Sequence, residues 1–339
     1  MGVYKQANYK PLLTMLILSV LILITFFISL NLGYIRISPM DVVKTMAGSG
    51  TADNRLALFD FRLPRMVIAL LIGAGLGVSG AILQGVSQNG LADPGILGIN
   101  AGAGLTVVLF IFFFQGSFYS LGTLSVFIMP LAALAGGLLA ALLIYTLAWK
   151  QGVTPTRLIL VGIGVNAAFG AALIIFQLKM NPNDFMRATI WLSGSIWGTN
   201  WKFVAAVLPW ILLLIPFTIY KARYLNVLNL GDSTATGLGA AVEKERRTLL
   251  LTAVALAGSC VAVGGGIAFV GLTAPHLARR LVGPKHEVML PATALTGALL
   301  LLVADTIGRN VLSPAEIPVG IVVSALGAPY FIYLLIKTD

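Results

Sequence analysis

Residues 96–149 contain no Asp, Glu, Lys or Arg. One helix needs only about 20 apolar residues to cross roughly 30 Å of hydrocarbon. The stretch is therefore expected to hold two membrane-spanning helices, divided at the polar and glycine-bearing break from Gln115 to Gly122. The whole chain has this character. Of its 339 residues, 58% are hydrophobic and 10% are charged, whereas about a quarter of a soluble domain is charged. The fold class expected is an all-α polytopic membrane protein.

Ten apolar spans are legible: residues 12–30, 66–86, 96–114, 123–148, 158–178, 203–220, about 248 to the glycines at 264–266, the punctuated stretch from there to Arg280, 288–308 and 317–336. The first run has no A-x-A-like cleavage site after it and reads as a retained span. One transmembrane domain covers residues 1–339, with its longer loops at about 31–65 and 221–247. In the first loop, Ser38 before Pro39 is a helix start and predicts a short amphipathic helix. Between spans 5 and 6, Trp191, Trp197 and Trp201 predict a surface helix and loop at the interface. Gly73 and Gly77 form a small-xxx-small pair, which predicts that span 2 is packed among other helices.

The formal net charge of +10 raises the question of nucleic acid. The basic residues sit mostly in short loops between apolar runs, so membrane topology accounts for them and no nucleic-acid partner is expected. An even number of spans puts both termini on one side. With the amino terminus inside, the larger share of the Lys and Arg residues falls inside. The single cysteine, Cys260, excludes an intramolecular disulfide framework and a cysteine-based metal cluster. His276 and His286 have no third ligand in view, so no metal site and no cofactor are expected.

The most heavily punctuated span runs from Gly264-Gly265-Gly266 through Gly271 to Pro275, His276, Arg279 and Arg280. Three glycines free the backbone, and Pro275 removes a donor and is expected to block helix continuation near its carboxyl end. Irregular backbone at membrane depth persists only where protein or a water-filled path surrounds it. A kinked packing helix and a moving transport element both fit Gly266, Gly271 and Pro275. Span 2 with its following turn echoes this arrangement in the opposite direction, as an inverted repeat requires.

Three further constellations carry chemistry. Arg62 and Arg65, at the outer start of span 2, suit either interfacial snorkelling or carboxylate pairing with an outer partner, and Arg309 falls at the same level. Gly231, Asp232, Thr236, Leu238 and Gly239 lie in the inner loop, where glycine-bracketed short helices make either a solvated connector or a knob for another protein. Asp305 lies four residues before Arg309, so an i,i+4 pair is preferred over a proton relay. Glu316, just before span 10, is placed to complement a helix amino end. No G-x-x-x-x-G-K-[ST] phosphate loop occurs, so any ATP is bound by another chain.

Five motifs, in order, resemble the permease family of type II ATP-binding cassette importers, which take up iron-siderophores, haem and cobalamin. They are Arg62-Leu-Pro-Arg65; Asn89-Gly-Leu91-Ala-Asp93-Pro94-Gly95; Gly231-Asp232 with Leu238-Gly239; Phe269-Val-Gly271 with Pro275-His276 and Arg279; and Glu316-Ile-Pro318-Val-Gly320 with Gly327-Ala-Pro329. The resemblance implies ten spans per subunit, a dimer of permeases that are the same chain or paralogues, cytoplasmic ATPase subunits and an extracytoplasmic substrate-binding protein. It implies docking of that protein at Arg62, Arg65 and Arg309, and ATPase coupling at Gly231, Asp232, Thr236, Leu238 and Gly239. It places Asn89, Leu91 and Thr156 near an inner gate, with Gly90 standing where relatives often carry proline.

The function expected is therefore a non-enzymatic permease subunit of an ATP-driven ferric-siderophore importer. It would lie among the lipids of a bacterial cytoplasmic membrane with both termini cytoplasmic. Haem or cobalamin import by the same machine, and ion-coupled secondary transport, are the alternatives.

Overall fold

Fourteen helices make up the described part of the chain, which in this computed structural model is residues 9–33, 37–95, 98–114, 125–150 and 152–337. They are α1 (Tyr9–Asn31), α2 (Pro39–Met46), α3 (Ala52–Ser87), α4 (Ile99–Phe113), α5 (Ser125–Ala148), α6 (Pro155–Gln177) and α7 (Pro182–Leu192). There follow α8 (Trp201–Tyr220), α9 (Ala222–Leu228), α10 (Asp232–Gly237), α11 (Val242–Gly264), α12 (Val270–Val282), α13 (His286–Asn310) and α14 (Val319–Lys337). Among the described residues there is no strand, only an isolated bridge between Trp149 and Val153. Seven helices are long and apolar enough to cross a bilayer, and α4 and α14 are shorter apolar helices. These nine apolar helices, with the 13-residue α12 between two of them, are roughly compatible with the ten spans expected from the sequence. The break expected at residues 115–122, and Arg36, lie outside the described residues.

α3 is the axis of the bundle. Of its best membrane window 78% is buried, against 11% for α1 and 17% for α6. Its glycines explain why. A Cβ on Gly73 would run into the carbonyl of Gly297 on α13, and one on Gly80 into the carbonyl of Gly271 on α12. Gly77 faces Thr293 less closely, its Cβ position lying 3.2 Å from the Thr293 carbonyl. Small residues let backbones approach where hydrocarbon gives no other drive to associate. Ser79 Oγ adds a 2.7 Å hydrogen bond to the carbonyl of Ala253 on α11.

α3 starts earlier than the sequence pattern indicates. Span 2 was expected at residue 66, yet the helix begins at Ala52, so much of the loop expected at 31–65 is helical. A π-helical stretch, Leu56–Arg62, absorbs Pro64. In π geometry the amide of residue 64 would meet the carbonyl of Phe59, but proline has no amide proton. Trp201 supplies the missing donor: its indole Nε1 gives a 2.7 Å hydrogen bond to the Phe59 carbonyl.

The interruption after α11 falls at the expected glycines, but Pro275 behaves otherwise. The chain leaves the helix at Gly265, with φ 70° and ψ −155°, and re-enters one at Val270. The glycines are required by α7. A Cβ on Gly265 or Gly266 would strike the carbonyls of Trp191 or Leu192 at the end of α7, and Gly266 N–H donates to the Trp191 carbonyl at 3.2 Å. Pro275 does not stop the helix, which continues to Val282. The carbonyl that Pro275 leaves without its i+4 donor belongs to Gly271, and Gln84 Nε2 of α3 reaches it and the Leu272 carbonyl at 3.4 Å each. Both α4 and α12 start from left-handed residues, Gly98 and Phe269, without a side-chain cap. The re-entry after α3 and that after α11 are thus alike, in keeping with the expected echo.

The short helices fall where they were expected. Ser38 caps α2 by accepting the Asp41 amide, α7 is the amphipathic helix bearing Trp191, and α9 and α10 fill the loop after α8.

Candidate functional site

The residues singled out in the sequence gather on two faces of the bundle, joined by its buried centre. On one face, Arg62 and Arg65 lie three residues apart on α3, so both point to the same side. α13 ends against them with Asp305 and Arg309. Asp305 is fully buried and takes a 2.8 Å hydrogen bond from Arg65 Nε on one oxygen. Its other oxygen lies 3.1 Å from Arg309 Nε, an ion pair not aligned as a hydrogen bond. Arg65 Nη1 also donates to Glu316 Oε2 at 2.7 Å. Arg309 Nη2 donates to Ser29 Oγ, and Arg62 Nη1 to the Leu30 carbonyl, both at the end of α1.

The three arginines assigned to docking do come together. Each also has a partner within the chain, and their exposures are only 6%, 9% and 7% for Arg62, Arg65 and Arg309. The i,i+4 pair of Asp305 with Arg309 is present. Glu316 does more than face a helix end, since it is bound to Arg65. Asp305 and Glu316 together offset two of the three guanidinium charges, leaving this face net positive.

The opposite face is built on α9, α10 and the start of α11. Gly231 and Gly239 have φ of 92° and 82°, and a Cβ at either would meet open space. Backbone conformation, not crowding, is therefore what asks for glycine there. Between them Asp232 opens α10, and Thr236 Oγ1 bonds back to the Asp232 carbonyl at 2.8 Å. Leu230 and Leu238 flank the helix, 59% and 64% exposed. Two bare leucines at either end of a short helix form an apolar knob. Asp232 is held from behind by buried Arg246, at 2.5 Å, and Arg246 Nη1 also donates to the Val153 carbonyl at 2.6 Å. The knob is thereby tied to the turn between α5 and α6. Thr156 stands exposed just beyond that turn, and no hydrogen bond joins it to Asn89 or Leu91 among the described residues.

The turn after α3 links this face to the centre. Asn89 Oδ1 accepts the Leu91 amide at 2.9 Å, which closes the turn and leaves Leu91 38% exposed. Gln88 Nε2 donates to the Leu228 carbonyl at the end of α9, at 2.7 Å. Asp93 takes the Gly95 amide at 2.7 Å, and a Cβ on Gly271 would come 2.7 Å from the other Asp93 oxygen. The end of α9, the turn after α3 and α12 are therefore one contiguous set of contacts.

Four partners were not evident in the sequence: Glu316 for Arg65, Leu30 for Arg62, Arg246 for Asp232, and the cluster of Asn226 with His286 and Glu287. Their separations are long and follow no helical period. Only the scarcity of acids in an apolar chain marks Glu316 and Glu287 as worth pairing.

The sequence model of the FecCD transport family matches residues 21–337. A relative from Bacillus subtilis (strain 168), the iron(3+)-hydroxamate import system permease protein FhuG, is 63% identical over 99% of this chain and 100% of its own length. The hemin transport system permease protein HmuU of Yersinia pestis is 37% identical over 98% of each chain. A solved chain, reported as an inward-facing conformation of a metal-chelate type ABC transporter, superposes with a TM-score of 0.81 at 31% identity. That match covers 95% of this chain and 98% of the other.

Proposed function

This chain belongs to the FecCD transport family, and we propose that it is the membrane permease subunit of an ATP-driven importer of ferric hydroxamate siderophores. It works with cytoplasmic ATPase subunits, a second permease subunit and an extracytoplasmic substrate-binding protein. The observation that carries the reading is the glycine-bracketed knob of α10, which is exposed at its tip and fastened to the transmembrane body by Asp232 and Arg246. A permease with no phosphate loop of its own needs such a surface to receive motion from an ATPase.

The α9–α10 face is cytoplasmic in this reading, as are both termini. The arginine face is outer and net positive, and it receives acidic residues of the binding protein around Arg62, Arg65 and Arg309. ATP binding shifts α10. The contacts of Asp232 with Arg246, and of Leu228 with Gln88, carry the shift to the turn at Asn89 and Leu91 and to α12. The path then opens to one face at a time. The ion-coupled alternative loses its best residue, because Asp305 is held between two arginines.

The hydroxamate class is supported by the relative at 63% identity, compared with 37% for the hemin permease. Uptake of radiolabelled ferric hydroxamates, ferric catecholates, haem and cobalamin in cells with and without this chain tests the assignment. Loss of ferric hydroxamate uptake alone is expected. Loss of haem or cobalamin uptake instead would keep the machine and replace its cargo.

A further inference from the structure

An apolar groove of about 450 Å³ opens on the side of the bundle between α5 and α11. Two stripes at helical spacing face each other across it: Leu138, Leu142 and Tyr145 on α5, and Arg247, Leu251 and Val254 on α11. Leu83 of α3 closes its floor. Leu142 and Leu251 are 60% and 63% exposed, so the groove opens outward from the bundle. Its lining is apolar except at one end. There Arg247 lies beside Tyr145, and among the described residues it makes no hydrogen bond or ion pair. Its neighbours Arg246 and Glu245 are, by contrast, both engaged in ion pairs.

The sequence order places that charge at a membrane boundary. Arg247 is in the second turn of α11, next to the α9–α10 face, and the apolar part of the groove runs from it towards mid-membrane. We propose that the groove is a binding site for an anionic phospholipid of the leaflet on the α9–α10 side, with an acyl chain along Leu142 and Leu251 and the phosphate on Arg247. Charge and shape agree on that occupant. A cation at interfacial depth attracts an anionic headgroup, and a groove open to the bilayer is filled by chains already present. A bound lipid would bridge α5 and α11, whose inner ends Tyr145 and Glu243 join through a 3.1 Å hydrogen bond. It would therefore sit beside the ties that fasten the coupling knob. The inference rests only on the chain spanning a membrane and is independent of the cargo.

The test is native mass spectrometry of the assembled transporter, released from nanodiscs containing phosphatidylglycerol and phosphatidylcholine in equal amounts. Three forms are compared: the unaltered complex, Arg247→Gln, and Leu142→Trp, which fills the groove but keeps the arginine. The unaltered complex should retain phosphatidylglycerol over phosphatidylcholine by roughly fivefold, about what one basic residue at an anionic surface contributes. Arg247→Gln should abolish the preference while leaving some lipid bound. Leu142→Trp should reduce both lipids. An undiminished preference in Arg247→Gln, or unchanged retention in Leu142→Trp, would overturn the site. So would loss of the second permease subunit from either variant, since the groove would then be a protein interface. Binding of millimolar inorganic phosphate that is lost in Arg247→Gln, with lipid retention unchanged, would show Arg247 to be a free-anion contact and would equally overturn it.

Discussion

Arg65 Nε lies 2.8 Å from Asp305 Oδ1, although 240 positions separate the two residues in sequence. The pair joins α3 to α13, and Arg309 and Glu316 extend it to the end of α1 and the segment before α14. Buried ion pairs add little net stability relative to apolar packing, but removing one partner leaves the other charge stranded. Asp305→Asn should accordingly lower the unfolding free energy of the purified subunit by about 3–5 kcal/mol, read as a lower thermal midpoint. Whatever transport survives should still depend on ATP. A variant as stable as the original but without uptake would make Asp305 a transport residue.

Close approach of α3 to its neighbours gives a sharper contrast. Gly80→Ala would drive a methyl into the Gly271 carbonyl, and overpacking of this kind costs about 1–3 kcal/mol. Gly170 lies in α6 with nothing within 4 Å of its Cβ position. Gly170→Ala should therefore stabilise the helix by about 0.5–1 kcal/mol. Thermal unfolding of the two variants in the same detergent checks both signs.

Leu238 is exposed at the end of α10, the knob proposed to receive the ATPase. Leu238→Asp should leave the thermal midpoint of the isolated subunit unchanged and abolish co-purification with the ATPase subunits. Retained ATPase binding would move the interface away from α10.

Arg62 offers a test of the face proposed to receive the binding protein. Arg62→Gln removes the charge and is too short to keep the hydrogen bond to the Leu30 carbonyl, so its thermal midpoint is measured alongside. Association of the binding protein with the reconstituted complex should slow at low salt, because the encounter loses one steering charge. Its salt dependence should fall as well. Unaltered kinetics would leave Arg62 as a tie to α1 alone.

Much of this architecture is legible in the sequence because bilayer thickness sets a length that apolar runs must meet. The apolar spans, the cap at Ser38, the short helices after α8 and the Asp305–Arg309 pair all follow from local rules. The early start of α3 does not. Its first turns are polar, and a π-helical stretch accommodates a proline that reads as a boundary. Pro275 misleads in the same way, since a glutamine on another helix satisfies the carbonyl it frees. The arginines were legible as a cluster. Their burial was not, because their partners Leu30, Ser29 and Glu316 come from other parts of the chain.

The most direct test reconstitutes this chain with its ATPase, partner permease and binding protein in proteoliposomes and follows radiolabelled ferric hydroxamate. The account predicts accumulation that requires ATP, ignores an imposed proton or sodium gradient, and disappears with Leu238→Asp. Accumulation driven by an ion gradient without ATP would contradict it.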